Sequence, residues 1–131
     1  MSSASPPLEF FFDRSLGKRT AEQLRGAGWA VHLVADSYPD DAQAVGDEEW
    51  LAEGCRHGWI LLTKDKRIRY RGGELAAMYD GRLFCLANGN LPISEMAHRF
   101  LAASASISRG AAGPPGFWHI YENGRTERRW P

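Results

Sequence analysis

Trp59-Ile60-Leu61-Leu62-Thr63-Lys64-Asp65-Lys66 is an apolar, strand-like run that delivers a threonine and then a carboxylate into a group of cations. Four consecutive large apolar residues without polar alternation suit a strand buried on both faces, as in a parallel α/β sheet. In such a sheet, ligands bind beyond the carboxyl ends of the strands, which is where Asp65 falls.

Working outward, the same logic applies upstream. Leu8 to Phe12 is a second buried-strand run, bounded by Pro7 and Asp13. A helix is expected from about Lys18 to Ala27, stopped by Gly28, followed by a strand from Trp29 to Val34. Ala35 to Gly46 holds Pro39 and several Asp residues and reads as a loop. Asp47 opens a helix that carries Trp50, Leu51 and Cys55 inward and ends near His57-Gly58. Downstream, a short helix is expected over Glu74 to Tyr79, a strand over Arg82 to Ala87, and one helix from about Pro92 to Ile107. Gly110 to Gly116 reads as a linker. Two strands, Phe117 to Tyr121 and Thr126 to Trp130, flank an Asn123-Gly124 hairpin signal. Alternating strands and helices predict an α/β fold with a mainly parallel sheet, to which the hairpin adds an edge or flap.

The chain has 131 residues, 44% of them apolar, and its formal net charge is zero. That suits one domain, expected over residues 8–131 behind a flexible tail of residues 1–7. It excludes a globally basic nucleic-acid binder, but the charge is segregated. Asp36 to Glu53 contains acids and no Lys or Arg, whereas Lys64 to Arg71 reads Lys-Asp-Lys-Arg-Ile-Arg-Tyr-Arg. Such segregation can give a basic groove in a neutral protein. Cys55 and Cys85 lack metal-ligand spacing and read as free thiols. No apolar run reaches transmembrane length, so a cytoplasmic protein without membrane contact is expected.

Asp13 and Asp65 each follow a strand, and the helix opened by Asp47 begins on the same rim. The three acids therefore converge if their strands are neighbours. Converging carboxylates raise one another's proton affinity unless a cation neutralises them, and an oxygen-only donor set favours Mg²⁺ or Mn²⁺. Arg14, Lys64, Lys66, Arg67, Arg69 and Arg71 could hold a phosphate backbone, and Tyr70 could stack a base. Taken singly, Asp13 reads as a turn cap, Asp65 as a turn residue, and Asp47 with Glu48 and Glu49 as a dipole-complementing helix start. The four histidines read as structural or surface residues, and Ser15 lacks a base partner for nucleophilic catalysis.

The stretch from Asp47 to Lys66 resembles the later half of PIN-domain nucleases, in which an acid opens a helix and the following strand ends in Thr-x-Asp. Phe10-Phe11-Phe12-Asp13-Arg14-Ser15-Leu16-Gly17 is similar to the family's first-strand acid. The pieces together look most like a compact PIN-like branch related to VapC-type toxins. The resemblance implies a three-layer α/β/α fold and a Mg²⁺-dependent (or Mn²⁺-dependent) endoribonuclease, the toxin of a bacterial toxin–antitoxin pair. Its implied partners are an RNA substrate and a cognate antitoxin, as a homodimer or a toxin–antitoxin hetero-oligomer. Asp13, Asp47 and Asp65 match the metal-binding acids, Thr63 the hydroxyl that supports them, and Glu48 could assist from the helix start. Two alternatives come from other classes. One is a receiver-like phosphoacceptor domain, which also gathers acids and a lysine on this rim. The other is a silent PIN-like scaffold, suggested by Arg67 where the family often continues with an acid.

Overall fold

A computed structural model describes residues 8–34, 46–65 and 80–130, and of Asp47 and Glu48 the backbone only. The expected loop over 35–45, the short helix over 74–79 and the basic residues 66–71 lie outside the described residues. Within them, the chain runs β1 (Glu9–Phe12), a 3₁₀ turn (Arg14–Leu16), α1 (Lys18–Gly26), β2 (Ala30–Leu33), α2 (Asp47–His57) and β3 (Ile60–Thr63). It continues with β4 (Arg82–Leu86), α3 (Ile93–Ala102), α4 (Ser104–Ala112), β5 (Gly116–Ile120), a 3₁₀ turn (Glu122–Gly124) and β6 (Thr126–Trp130).

The strands form one sheet in the order β2-β1-β3-β4-β5-β6, parallel except for β6. Helices α1, α3 and α4 bury Leu24, Phe100 and Ile107 on one face, against Phe10, Phe12, Leu62 and Phe84. Helix α2 covers the other face, where Trp50 and Leu51 meet Phe11, Leu61, Leu83 and Phe117. These are the three layers expected of α/β/α. Successive residues of a strand point to opposite faces, so a strand buried on both reads as an unbroken apolar run. Phe-Phe-Phe and Ile-Leu-Leu are those runs.

Backbone punctuation sets the element ends. Gly28 (φ 97°) and Gly58 (φ 74°) stop α1 and α2 in the left-handed region, where Trp29 and Trp59 donate back to Leu24 and Gly54 carbonyls at 3.0 and 2.9 Å. A Cβ on Gly54 would lie 2.3 Å from Leu61 Cδ2 and 3.0 Å from Phe11 Cδ2, so the helix sits directly on the sheet at this point. Trp59 itself is sandwiched between His32 and His57, with ring centroids 3.8 and 4.1 Å away and all three rings nearly parallel.

The structure corrects one expectation. The stretch read as a single helix over Pro92 to Ile107 is two helices, broken at Ala103, and the second takes in part of the supposed linker. The break seats the hairpin: a Cβ on Gly124 would lie 2.3 Å from the Ala102 carbonyl oxygen, and Ser106 Oγ donates to the Gly124 carbonyl at 3.1 Å. The hairpin signal itself is realised, with Asn123 (φ 62°) and Gly124 (φ 75°) both left-handed. Its first strand lies inside the sheet beside β4, and β6 forms the edge.

Candidate functional site

The chain leaves β1 to place β2 on one side and then returns to place β3 on the other. Strand order therefore reverses at β1/β3, the position where open α/β sheets leave a crevice beyond their strand ends. Asp13 immediately follows β1 and Asp65 lies two residues past β3. Neighbouring strands carry both acids, the condition that convergence required.

Thr63 ties them together. It is fully buried, and its hydroxyl donates to Asp13 Oδ2 at 2.7 Å while accepting the Asp65 backbone N–H at 3.0 Å. The Asp13 N–H donates to the Leu62 carbonyl at 2.9 Å, extending the ladder to the acid. Ser15 Oγ donates to the same Asp13 oxygen at 2.8 Å. Asp13 precedes the 3₁₀ turn as its cap residue but makes no side-chain cap hydrogen bond. Its carboxylate thus joins the turn, through Ser15, to the end of β3, through Thr63.

Helix α2 starts at Asp47, after Gly46, and packs over the face of the sheet to which Thr63 belongs. The Asp47 and Glu48 side chains, with Lys66, Arg67 and Arg69, lie outside the described residues. Among the described residues no group of three or more His, Cys, Asp or Glu is gathered closely enough to hold a metal. The side-chain groups gathered at Asp13, its carboxylate and the Thr63 and Ser15 hydroxyls, offer oxygen, the chemistry that suits Mg²⁺ or Mn²⁺ rather than a soft ion.

Beside Asp13 opens a cleft of about 270 Å³ walled by Phe12, Leu33 and the basic residues Arg14, Lys18 and Arg19. The last two occupy the first turn of α1, which carries no acid. Their charge therefore adds to the positive end of the helix dipole instead of offsetting it. Lys64 is half-buried between Thr63 and Asp65, and Arg14 is exposed. Sequence reasoning set Ser15 aside as a nucleophile and passed over Lys18 and Arg19. The spacing Asp13-Arg14-Ser15 was the available signal, since a hydroxyl two residues beyond an Asp can reach its carboxylate.

A family model described as "PIN like domain" matches residues 8–88. The chain belongs to the PIN-like domain family. It is 36% identical over 111 residues, 82% of this chain and 80% of the relative, to "Putative ribonuclease VapC45" of Mycobacterium tuberculosis (strain ATCC 25618 / H37Rv). No solved structure matches it. Among the described residues no helix is long and apolar enough to cross a membrane.

Proposed function

We propose that the protein is a ribonuclease of a toxin–antitoxin system, a Mg²⁺-dependent endoribonuclease whose site is the β1/β3 crevice. The observation that carries this is the Thr63 hydroxyl, which joins Asp13 and Asp65 at the point where strand order reverses. Similarity to the mycobacterial relative adds the activity and the toxin setting.

Asp13, Asp47 and Asp65 are the residues that would hold the ion, with Thr63 and Glu48 in support. When bound, Mg²⁺ or Mn²⁺ supplies Lewis acidity toward a phosphodiester and lowers the pKa of a coordinated water. The chain's own side chains do the rest. Thr63 and Ser15 hold the Asp13 carboxylate in one orientation. Arg14, Lys18 and Lys64 lie where phosphates of an approaching strand would gain charge-assisted contacts, and Lys66, Arg67 and Arg69 are assigned to the same substrate clamp. A cognate antitoxin would cover this rim, and membership of the PIN-like family displaces the receiver-like alternative.

The test is cleavage of a labelled RNA by purified protein with Mg²⁺, with EDTA, and by Asp13→Asn, Asp47→Asn and Asp65→Asn. Removing a ligand should cost several kcal/mol of transition-state stabilisation, on the order of a thousandfold in rate. Cleavage that survives EDTA, or persists in all three variants, would end the proposal. No cleavage by the native protein, alongside measurable RNA binding, would favour the silent scaffold.

A further inference from the structure

The register of the sheet carries the rim of the site beyond β3, over Cys85 and His119, which are buried. Thr63 is paired with Cys85, Cys85 with His119, and His119 with Glu127. In-register neighbours project from the same face, so these four side chains form one row across the carboxyl end of the sheet. Alternation puts the row on the α2 face, because Leu61, Leu83 and Phe117, each two residues earlier, all lie beneath that helix. Asp13, two residues after Phe11, begins the row from the β1 side.

Two residues past His119 comes Tyr121. Its ring lies 6.3 Å from the His119 ring, edge to face, and the Arg125 guanidinium sits 4.0 Å above its centroid. Tyr121 is half-buried and Arg125 is exposed, with 60% of its side chain open to solvent. The turn that carries them is held from several sides. Tyr121 N–H donates to the Arg125 carbonyl at 2.8 Å, Arg125 reaches Glu127 at 3.4 Å, and the turn's Gly124 is fixed to α3 and α4 as described. A turn needed only to join β5 to β6 requires no cation laid over an aromatic ring. Holding both groups in place beforehand removes most of the ordering cost of a ligand that stacks there.

We propose that Tyr121 and Arg125 form a base-stacking platform for single-stranded RNA, on the same rim as Asp13 and just past the end of β5. The platform lies two strands from β3 and three from β1, about 10 and 14 Å at ordinary sheet spacing. That is about three to four nucleotides at a stacked rise of ~3.4 Å, so a strand cleaved at Asp13 and Asp65 would lay a base that far from the cut on the platform. Aromatic rings accept every base, so the platform sets how the strand is held rather than which sequence is read. Both residues lie beyond the segment that matches the family model, which ends at residue 88. The inference rests on the ribonuclease reading and adds a subsite to it.

The experiment measures binding of a fluorescein-labelled twelve-nucleotide oligoadenylate by polarisation, with Mg²⁺, in the Asp13→Asn background. A gel of the same samples reports whether that background cleaves, so failure of the catalytic reading is seen separately. Tyr121→Ala should weaken binding roughly five- to hundredfold, the range for loss of one stacked base. Arg125→Gln should weaken it less, and Tyr121→Phe should bind like the parent. Inorganic polyphosphate, which has charge but no bases, should bind Tyr121→Ala and parent equally. Unchanged RNA affinity in Tyr121→Ala overturns the proposal, as does an equal loss toward polyphosphate. Failure of Tyr121→Phe to restore affinity, with the fold intact by circular dichroism, overturns it too.

Discussion

At the amino edge of the sheet Glu9 meets His32 at 2.9 Å, and Glu53 meets both His57, at 3.0 Å, and Arg56. At the carboxyl edge Asp13 receives two hydroxyls, from Thr63 at 2.7 Å and Ser15 at 2.8 Å. A cationic partner neutralises a carboxylate and stabilises the fold, whereas a hydroxyl fixes its direction and leaves its charge in place. One edge is built to be satisfied from within, around the His32-Trp59-His57 stack. On the other, two hydroxyls set the direction of Asp13, the acid proposed above as a metal ligand. On the proposed function, this asymmetry within a single sheet separates holding the fold together from doing chemistry.

Breaking the carboxyl edge should have the larger consequence. Thr63→Val keeps the shape and removes the hydroxyl, so Asp13 loses one of its two orienting hydroxyls and the Asp65 N–H its acceptor. RNA cleavage should fall about 10- to 100-fold, as when the partner of a metal ligand is removed, and Thr63→Ser should restore most of it. Full activity in Thr63→Val would mean that the link is structural only. Trp59→Leu attacks the amino edge, emptying the space between two imidazoles and the edge of Phe11. We expect a loss of about 1–3 kcal/mol in urea unfolding, with cleavage per folded molecule unchanged. A Trp59→Leu protein that is stable but inactive would erase the division between the edges.

The smallest effect sharpens the same contrast. Cys55, on α2 near the amino edge, has its thiol pushed up to about 11 by burial and by Asp80, with Arg82 opposing. The native state thus holds the proton across the window from 9 to about 11, where an unfolded chain has released it. This contribution is fully present below pH 9 and is lost as pH rises toward 11. Alkylation of Cys55 by iodoacetamide, followed by mass spectrometry of the Cys85→Ala protein, should be slow at pH 8 and accelerate only above 10. Rapid reaction at pH 8 would show a normal thiol.

Much of the fold was legible because buried strands announce themselves. Phe10-Phe11-Phe12 and Ile60-Leu61-Leu62 have no polar alternation, and Gly28 and Gly58 mark where helices stop. The acids at strand ends were legible for the same reason. Strand order was not, because a run of apolar residues says nothing about which neighbour it pairs with. The meeting of Asp13 and Thr63, 50 residues apart, depends on that pairing. The break at Ala103 was hidden because α3 and α4 both continue the apolar stripe, and the turn that packs against it, at Gly124, is remote in sequence. The row through Cys85 and His119 exists only once the register of three strands is known. Ser15 was discounted because it was weighed as a nucleophile, when its role is to hold a neighbour.

Gly54 has a wider reach than its size implies. It is where α2 rests on the sheet, and Asp47 lies seven residues up the same rod, about 10 Å away at 1.5 Å per residue. Leu61 and Phe11 beneath it have no room to give way, both being fully buried. A methyl group here would act as a wedge under a lever, tilting the far end of the helix and carrying Asp47 with it. A change remote from the proposed chemistry and neutral in charge would thus disturb the alignment proposed for the acids, while the helix itself stays folded.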